Sequence, residues 1–138
     1  MALVVLDASV VIAFLDPDDA LHDVAVEALT EHQHDELVIP SSVYAEILVA
    51  PYRRGAEAVA EVEAFLADFA VRIETMTSTI ARAAAKLRSE SRALRLPDAL
   101  VLATADELEA DRVLTGERTL RKPRATLGTL AVRLQQLN

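Results

Sequence analysis

The chain has 138 residues, 14 of them basic and 22 acidic, for a formal net charge of −8, and it contains no cysteine. That length fits a single domain over residues 1–138 and lets the chain bury roughly two thirds of its unfolded surface. The missing cysteine excludes a disulfide framework and a thiolate metal site, and the net charge taken alone disfavours a nucleic-acid partner.

The opening MALVVLDASVVIAFLD lacks a basic start, and Asp7 interrupts its apolar run, so it does not read as a signal peptide. No stretch approaches the roughly 20 apolar residues of a membrane span, and a soluble cytoplasmic protein is expected. In chain order, ALVVL (2–6), ELVIP (36–40), FAVRIE (69–74), RVLT (112–115) and LAVRL (130–134) read as short buried strands, apolar on both faces as in a covered parallel sheet. Helical spacing lies between them. Residues 18–32 carry an apolar stripe of Ala20, Leu21, Val24, Ala25, Ala28 and Leu29. Ser41 or Ser42 is placed to cap a helix running to about Ala50, before a PYRRG break, and a second helix spans 55–66. Thr77, Ser78 or Thr79 caps a helix to about Ala93, and Pro97 starts another to about Ala110. Alternating strands and helices predict an α/β fold, an open parallel sheet with right-handed crossovers.

Most acidic residues lie in plainly solvated runs such as DPDD and DELEAD, but four do not. Asp7 closes the first strand at the carboxyl edge, where ligands bind in open α/β sheets. Glu46 is the one charge in SSVYAEILVA, sharing a helical face with Ser42, Val43, Val49 and Ala50. Asp98 leads a stripe of Val101, Leu102 and Ala105, and Glu117 follows RVLT just beyond a second carboxyl edge. Each has an ordinary structural explanation: helix cap, dipole-complementing acid, ion-pair member, turn residue. Converging at one edge, such carboxylates repel one another unless a cation neutralises them, and an all-oxygen donor set selects Mg²⁺ or Mn²⁺. Ser9 and Thr115, two residues after Asp7 and two before Glu117, are placed to orient a carboxylate or a bound water.

At VVLDASVVIAFL, PSSVYAEIL, LPDALVLATA and VLTGE the sequence resembles the PIN-domain family, and within it the VapC-like toxins of toxin–antitoxin pairs. The resemblance implies a three-layer α/β/α fold with a central parallel sheet of four to five strands. It also implies an Mg²⁺- or Mn²⁺-dependent endoribonuclease acting on RNA, a cognate antitoxin as partner, and a homodimer. The family's acidic quartet falls on Asp7, Glu46, Asp98 and Glu117, which then serve as both metal ligands and catalytic residues, with hydroxyl helpers on Ser9 and Thr115. Glu117 departs from the usual pattern, in which Asp more often follows the threonine.

The first seventy residues hold 14 acidic and 2 basic side chains and the remainder 8 acidic and 12 basic, which leaves room for a basic surface. Candidate phosphate contacts are Arg88, Arg92, Arg95, Arg118, Arg121, Lys122 and Arg124; Arg53 and Arg54 face either substrate or an acidic partner. Two rival classes remain at this level. A catalytically degenerate RNA- or partner-binding module would share the fold, and the Glu117 departure favours it. A metal-dependent phosphatase would also place an aspartate after the first strand, but DASVV lacks a second aspartate two residues on, and no lysine follows RVLT as in receiver domains.

Overall fold

The computed structural model describes residues 1–116 and 134–136. Among these residues five strands, β1 (Leu3–Leu6), β2 (Glu36–Pro40), β3 (Arg72–Glu74), β4 (Arg112–Thr115) and β5 (Leu134–Gln136), form one parallel sheet in the order β3-β2-β1-β4-β5. Among the described residues six helices cover it: α1 (Ala8–Leu15), α2 (His22–Glu31), α3 (Ser41–Arg54), α4 (Ala56–Asp68), α5 (Ser78–Glu90) and α6 (Leu96–Glu107). This is the expected α/β architecture.

The chain steps from β1 through α1 and α2 to β2, then through α3 and α4 to β3, always in one direction. Helices α5 and α6 then carry it back past β2 and β1 to β4. Right-handed crossovers place the two helix groups on opposite faces of the sheet. The reversal leaves a switch point between β1 and β4, and the crevice at the carboxyl ends of these two strands is where such sheets bind ligands.

The core follows from the strand sequences. Val4, Val5, Leu6, Leu37, Val38, Ile39, Val113 and Leu114 are all buried, which explains why β1, β2 and β4 are apolar without alternation. Helix α6 is buried on two sides: Val101 and Ala105 join the main core, while Ala99, Leu102 and Ala103 meet Ile80 and Ala84 of α5. Phe14, Phe65 and Phe69, all the phenylalanines of the chain, form one cluster with ring centroids 5.1–5.3 Å apart, tying α1 to the end of α4. None of them is left as a stacking platform for bases. No helix among the described residues is long and apolar enough to cross a membrane.

Three local expectations are corrected, and a fourth lies largely outside the described residues. The strand expected over 69–74 is confined to Arg72–Glu74 and is no buried strand: it is the sheet edge, with Arg72 exposed and Ile73 38 % exposed. Helix α3 has Pro40 at its N-cap without a side-chain cap bond, and Ser41 Oγ instead accepts from the Met76 N–H at 3.3 Å. The same helix runs through Pro51, which is buried, and ends at Gly55 (φ 122°), where positive φ costs glycine little. The fifth strand occupies Leu134–Gln136, and 130–133 of its expected span lie outside the described residues. Thr77 does cap α5, its Oγ1 accepting from the Ile80 N–H at 3.2 Å.

The amino end of β1 is clamped by two loop aspartates, which satisfy backbone groups that the sheet leaves over. Asp35 Oδ1 accepts from the Ala2 N–H at 3.0 Å, and Asp111 Oδ2 from the Leu3 N–H at 2.8 Å. Asp35 Oδ2 lies 2.8 Å from Nδ1 of buried His32, whose Nε2 has no partner among the described residues. The His32 ring and the Ala2 N–H hold the Asp35 carboxyl below its ordinary value. A depressed carboxyl contributes stability above its unfolded pKa, and that contribution is lost as pH falls through the folded value. Asp35→Asn is therefore expected to lower the thermal midpoint at neutral pH and to flatten its decline below about pH 4, read from melting curves across an acid series.

Candidate active site at the carboxyl edge of the sheet

Asp7 stands at the switch point. Its N–H donates to the Leu114 carbonyl at 3.0 Å, extending the β1–β4 pairing by one residue. Its side chain then serves two purposes. Oδ1 accepts from the Ala8 N–H at 2.9 Å and caps α1, while Oδ2 accepts from Ser9 Oγ at 2.9 Å and from Thr115 Oγ1 at 2.8 Å. The residue is 4 % exposed, and among the described residues no cation pairs with it. Cap and candidate site are thus the same carboxylate.

Ser9 Oγ in turn accepts from the Gly116 N–H at 2.9 Å, closing a network across the ends of β1 and β4. A Cβ on Gly116 would lie 2.8 Å from Leu21 Cδ1 and 3.4 Å from Ser9 Oγ. The tight neighbour is the tip of the Leu21 side chain, whereas Ser9 of α1 stands at ordinary contact distance.

Asp98 sits in the first turn of α6 and is 2 % exposed; Val101, Leu102 and Ala105 behind it are buried, as its spacing predicts. Beyond the carboxyl end of α6, the Asp111 N–H donates to the Leu3 carbonyl at the amino edge of β1. The start of the helix, with Asp98, therefore lies at the carboxyl edge where Asp7 stands. Arg95, the N-cap residue of α6, donates from Nε to Asp98 Oδ2 at 3.2 Å.

Glu46 is placed differently from the sequence expectation. The buried stripe of α3 is Val43, Ile47 and Pro51, and Glu46 lies one position off it, exposed. It lines a cavity of about 260 Å³ with apolar Ile12, Leu15 and Ile47 and with charged Asp16 and Arg54. Glu117, Arg118, Arg121, Lys122 and Arg124 lie outside the described residues. Among the described residues no three His, Cys, Asp or Glu side chains stand close enough together to hold a metal ion. The structure brings Asp7, Ser9 and Thr115 into contact and sets Asp98 at the same edge, while Glu46 lines a separate cavity with the end of α1.

The donor set fits a hard divalent cation. Among the described residues the nearly buried Asp7 carboxylate is held by neutral donors only, which orient its oxygens without an ion pair. Two features escaped the sequence reading. Ser42 Oγ, expected only as a cap, is buried without a partner among the described residues. The Arg95–Asp98 pair was foreshadowed only by its spacing of three residues, which places both on one side of a helix turn.

The model of the PIN domain matches residues 4–125. The chain belongs to the PIN-domain family. No curated protein matches it in sequence. Among solved structures it is similar to a VapC toxin of Mycobacterium tuberculosis that cleaves the sarcin–ricin loop, at 22 % identity and a TM-score of 0.66, covering 80 % of this chain and 86 % of that one. It is also similar to a VapBC complex from Rickettsia felis bound to promoter DNA (14 %, 0.75, 99 % of each chain) and to a FitAB complex from Neisseria gonorrhoeae (18 %, 0.70, 95 % of each). At these identities the likeness is one of fold.

Within this PIN domain the hydroxyl of Thr115 reaches the Asp7 carboxylate across the switch point. Thr115→Val, which keeps the shape and removes that donor from a buried carboxylate, is expected to cost about 1–3 kcal/mol in urea unfolding. Thr115→Ser keeps the hydroxyl and is expected to cost no more than about 1 kcal/mol for the lost methyl.

Proposed function

We propose that the chain is a divalent-metal-dependent endoribonuclease and the toxin of a toxin–antitoxin pair, built as one catalytic domain over residues 1–138. The observation that carries this reading is Asp7: a carboxylate at the switch point of a PIN fold, held by Ala8, Ser9 and Thr115 and paired with no cation among the described residues.

On this reading Asp7 and Asp98, with Glu46 and Glu117, would hold Mg²⁺ or Mn²⁺. Bound there, such an ion supplies Lewis-acid polarisation of a phosphate and a water of lowered pKa. Ser9 and Thr115 fix the Asp7 carboxylate in one orientation, so no reorganisation is needed when charge develops nearby. Burial of Asp7 and Asp98 keeps bulk water from screening their charge.

The toxin assignment is supported by the PIN family and by the fold likeness to VapBC and FitAB proteins. A cognate antitoxin is the partner that follows. The cavity beside Glu46, apolar with charged Asp16 and Arg54, suits an amphipathic segment of such a partner. Exposed Val49 and Tyr52 on α3 support a further contact surface, and we include the homodimer in the proposal. The absence of cysteine suits a cytoplasmic setting.

One observation favours a second reading. No three acidic side chains meet among the described residues, as in a binding module that holds RNA or a partner without cutting it. Purified protein free of inhibitor decides between them: it is expected to cleave RNA with Mg²⁺ or Mn²⁺ and to stop with EDTA, and Asp7→Asn or Asp98→Asn is expected to lower the rate by about a hundredfold or more. Binding without cleavage by the wild type would establish the second reading instead.

A further inference from the structure

The cations of this acidic chain are gathered in one place. Of the nine Lys and Arg within 1–116, five fall between 78 and 95, where Glu90 is the one acid. Helices α2 and α4 are the reverse, with seven acids and no Lys or Arg. Packing does not account for the difference. Helix α5 buries only Ile80 and Ala84, both in its first half, against Ala99, Leu102 and Ala103 of α6. From Ala85 to Glu90 every residue except Leu87 is exposed. Ion pairing does not account for it either. Among the described residues no carboxylate pairs with Arg82, Lys86, Arg88 or Arg92, although Glu90 stands four residues after Lys86, an ordinary spacing for a helical ion pair. The loop before α5 is held to the start of α3, just past the carboxyl end of β2, by the bond from the Met76 N–H to Ser41 Oγ. The turn after α5 leads straight to Asp98. Both ends of this basic helix therefore lie on the carboxyl side of the sheet, beside the edge where Asp7 stands.

We propose that α5 and the turn after it form a phosphate-binding track that carries an RNA backbone to the Asp7 edge, with Arg82, Lys86, Arg88 and Arg92 as its contacts, an inference that rests on the nuclease reading above. Arg82 and Lys86 are one helical turn apart, about 6 Å along the axis, so a single extended strand can meet both. Exposed Ala83 and Ala85 beside them leave room for that strand to lie close to the helix. The segment carries no aromatic ring, so the phosphates and not the bases are what this face can hold. Its attraction does not depend on a divalent cation, and it is spread over exposed groups. Each contact is therefore worth only about two- to fivefold in affinity, and all of them weaken together as salt rises.

The test measures binding of a fluorescein-labelled oligouridylate by anisotropy in EDTA, where no divalent cation draws RNA to the carboxylates and the track is read alone. The variants are Arg82→Gln, Lys86→Gln and Arg92→Gln, singly and combined, with Arg112→Gln, exposed at the amino end of β4, as a control of equal charge change. Each α5 variant is expected to bind about two- to fivefold more weakly than the wild type, and the control to match it. The combined variant is expected to show a slope of log affinity against log salt shallower by about 2. No binding by the wild type, or α5 variants indistinguishable from Arg112→Gln, overturns the proposal. So does a loss of polyglutamate binding with RNA binding unchanged, which would make the face a docking surface for an acidic protein. A cleavage assay in Mg²⁺ keeps the two levels apart. If the wild type cuts RNA and the α5 variants bind and cut as it does, the track fails and the nuclease reading stands; if the wild type cuts nothing while the α5 variants still lose RNA binding, the track stands and the nuclease reading fails.

Discussion

Asp7, at the point where the sheet reverses direction, is nearly buried, and among the described residues no cation stands beside it. Burying an ionised group is costly unless its lone pairs are satisfied. Asp7 meets that condition with donors from two elements, the Ala8 N–H and Ser9 hydroxyl at the start of α1 and the Thr115 hydroxyl at the end of β4. The arrangement depends on the pairing of β1 with β4 in the register Leu6 opposite Leu114, which brings Thr115 level with Asp7. A slip of one residue would turn Thr115 to the other face of the sheet. The adjacency of β1 and β4 in the order β3-β2-β1-β4-β5 and the bond from the Gly116 N–H to Ser9 Oγ both support this contact.

The overall charge of −8 looked hard to reconcile with a nucleic-acid substrate. The structure locates the relevant part of it. Asp7 and Asp98 are buried, so their charges are concentrated at one edge and little screened, whereas acids such as Glu27 and Glu31 of α2 carry ordinary surface positions. The two buried acids are also treated differently, Asp7 held by neutral groups and Asp98 beside an arginine. Screened surface charge acts weakly beyond about 10 Å, and the local field at the edge governs what approaches it.

Much of this was legible in the chain itself. Strands β1, β2 and β4 were recognisable because a strand covered on both faces has no polar alternation, and Asp98 because it leads the apolar stripe of Val101, Leu102 and Ala105. Edge strand β3 was misread, since whether a short apolar run is covered depends on its place in the sheet and not on its own residues. Glu46 was misplaced for a related reason: a helical wheel shows which residues share a face but not which part of that face meets the core. Ser9, Thr115 and Asp7 were each identifiable, yet their contact joins positions 108 residues apart and exists only through the adjacency of β1 and β4. The role of Gly116 was invisible for the same reason.

The central claim is that the Asp7 edge of this PIN domain holds a divalent cation. Anomalous diffraction from crystals soaked in Mn²⁺ tests it most directly. The account predicts an anomalous peak within oxygen-ligand distance, about 2.2 Å, of Asp7, with Asp98 turned toward the same ion. Well-ordered crystals with no peak at Asp7, or with Mn²⁺ bound only at surface acids away from both carboxylates, would contradict it.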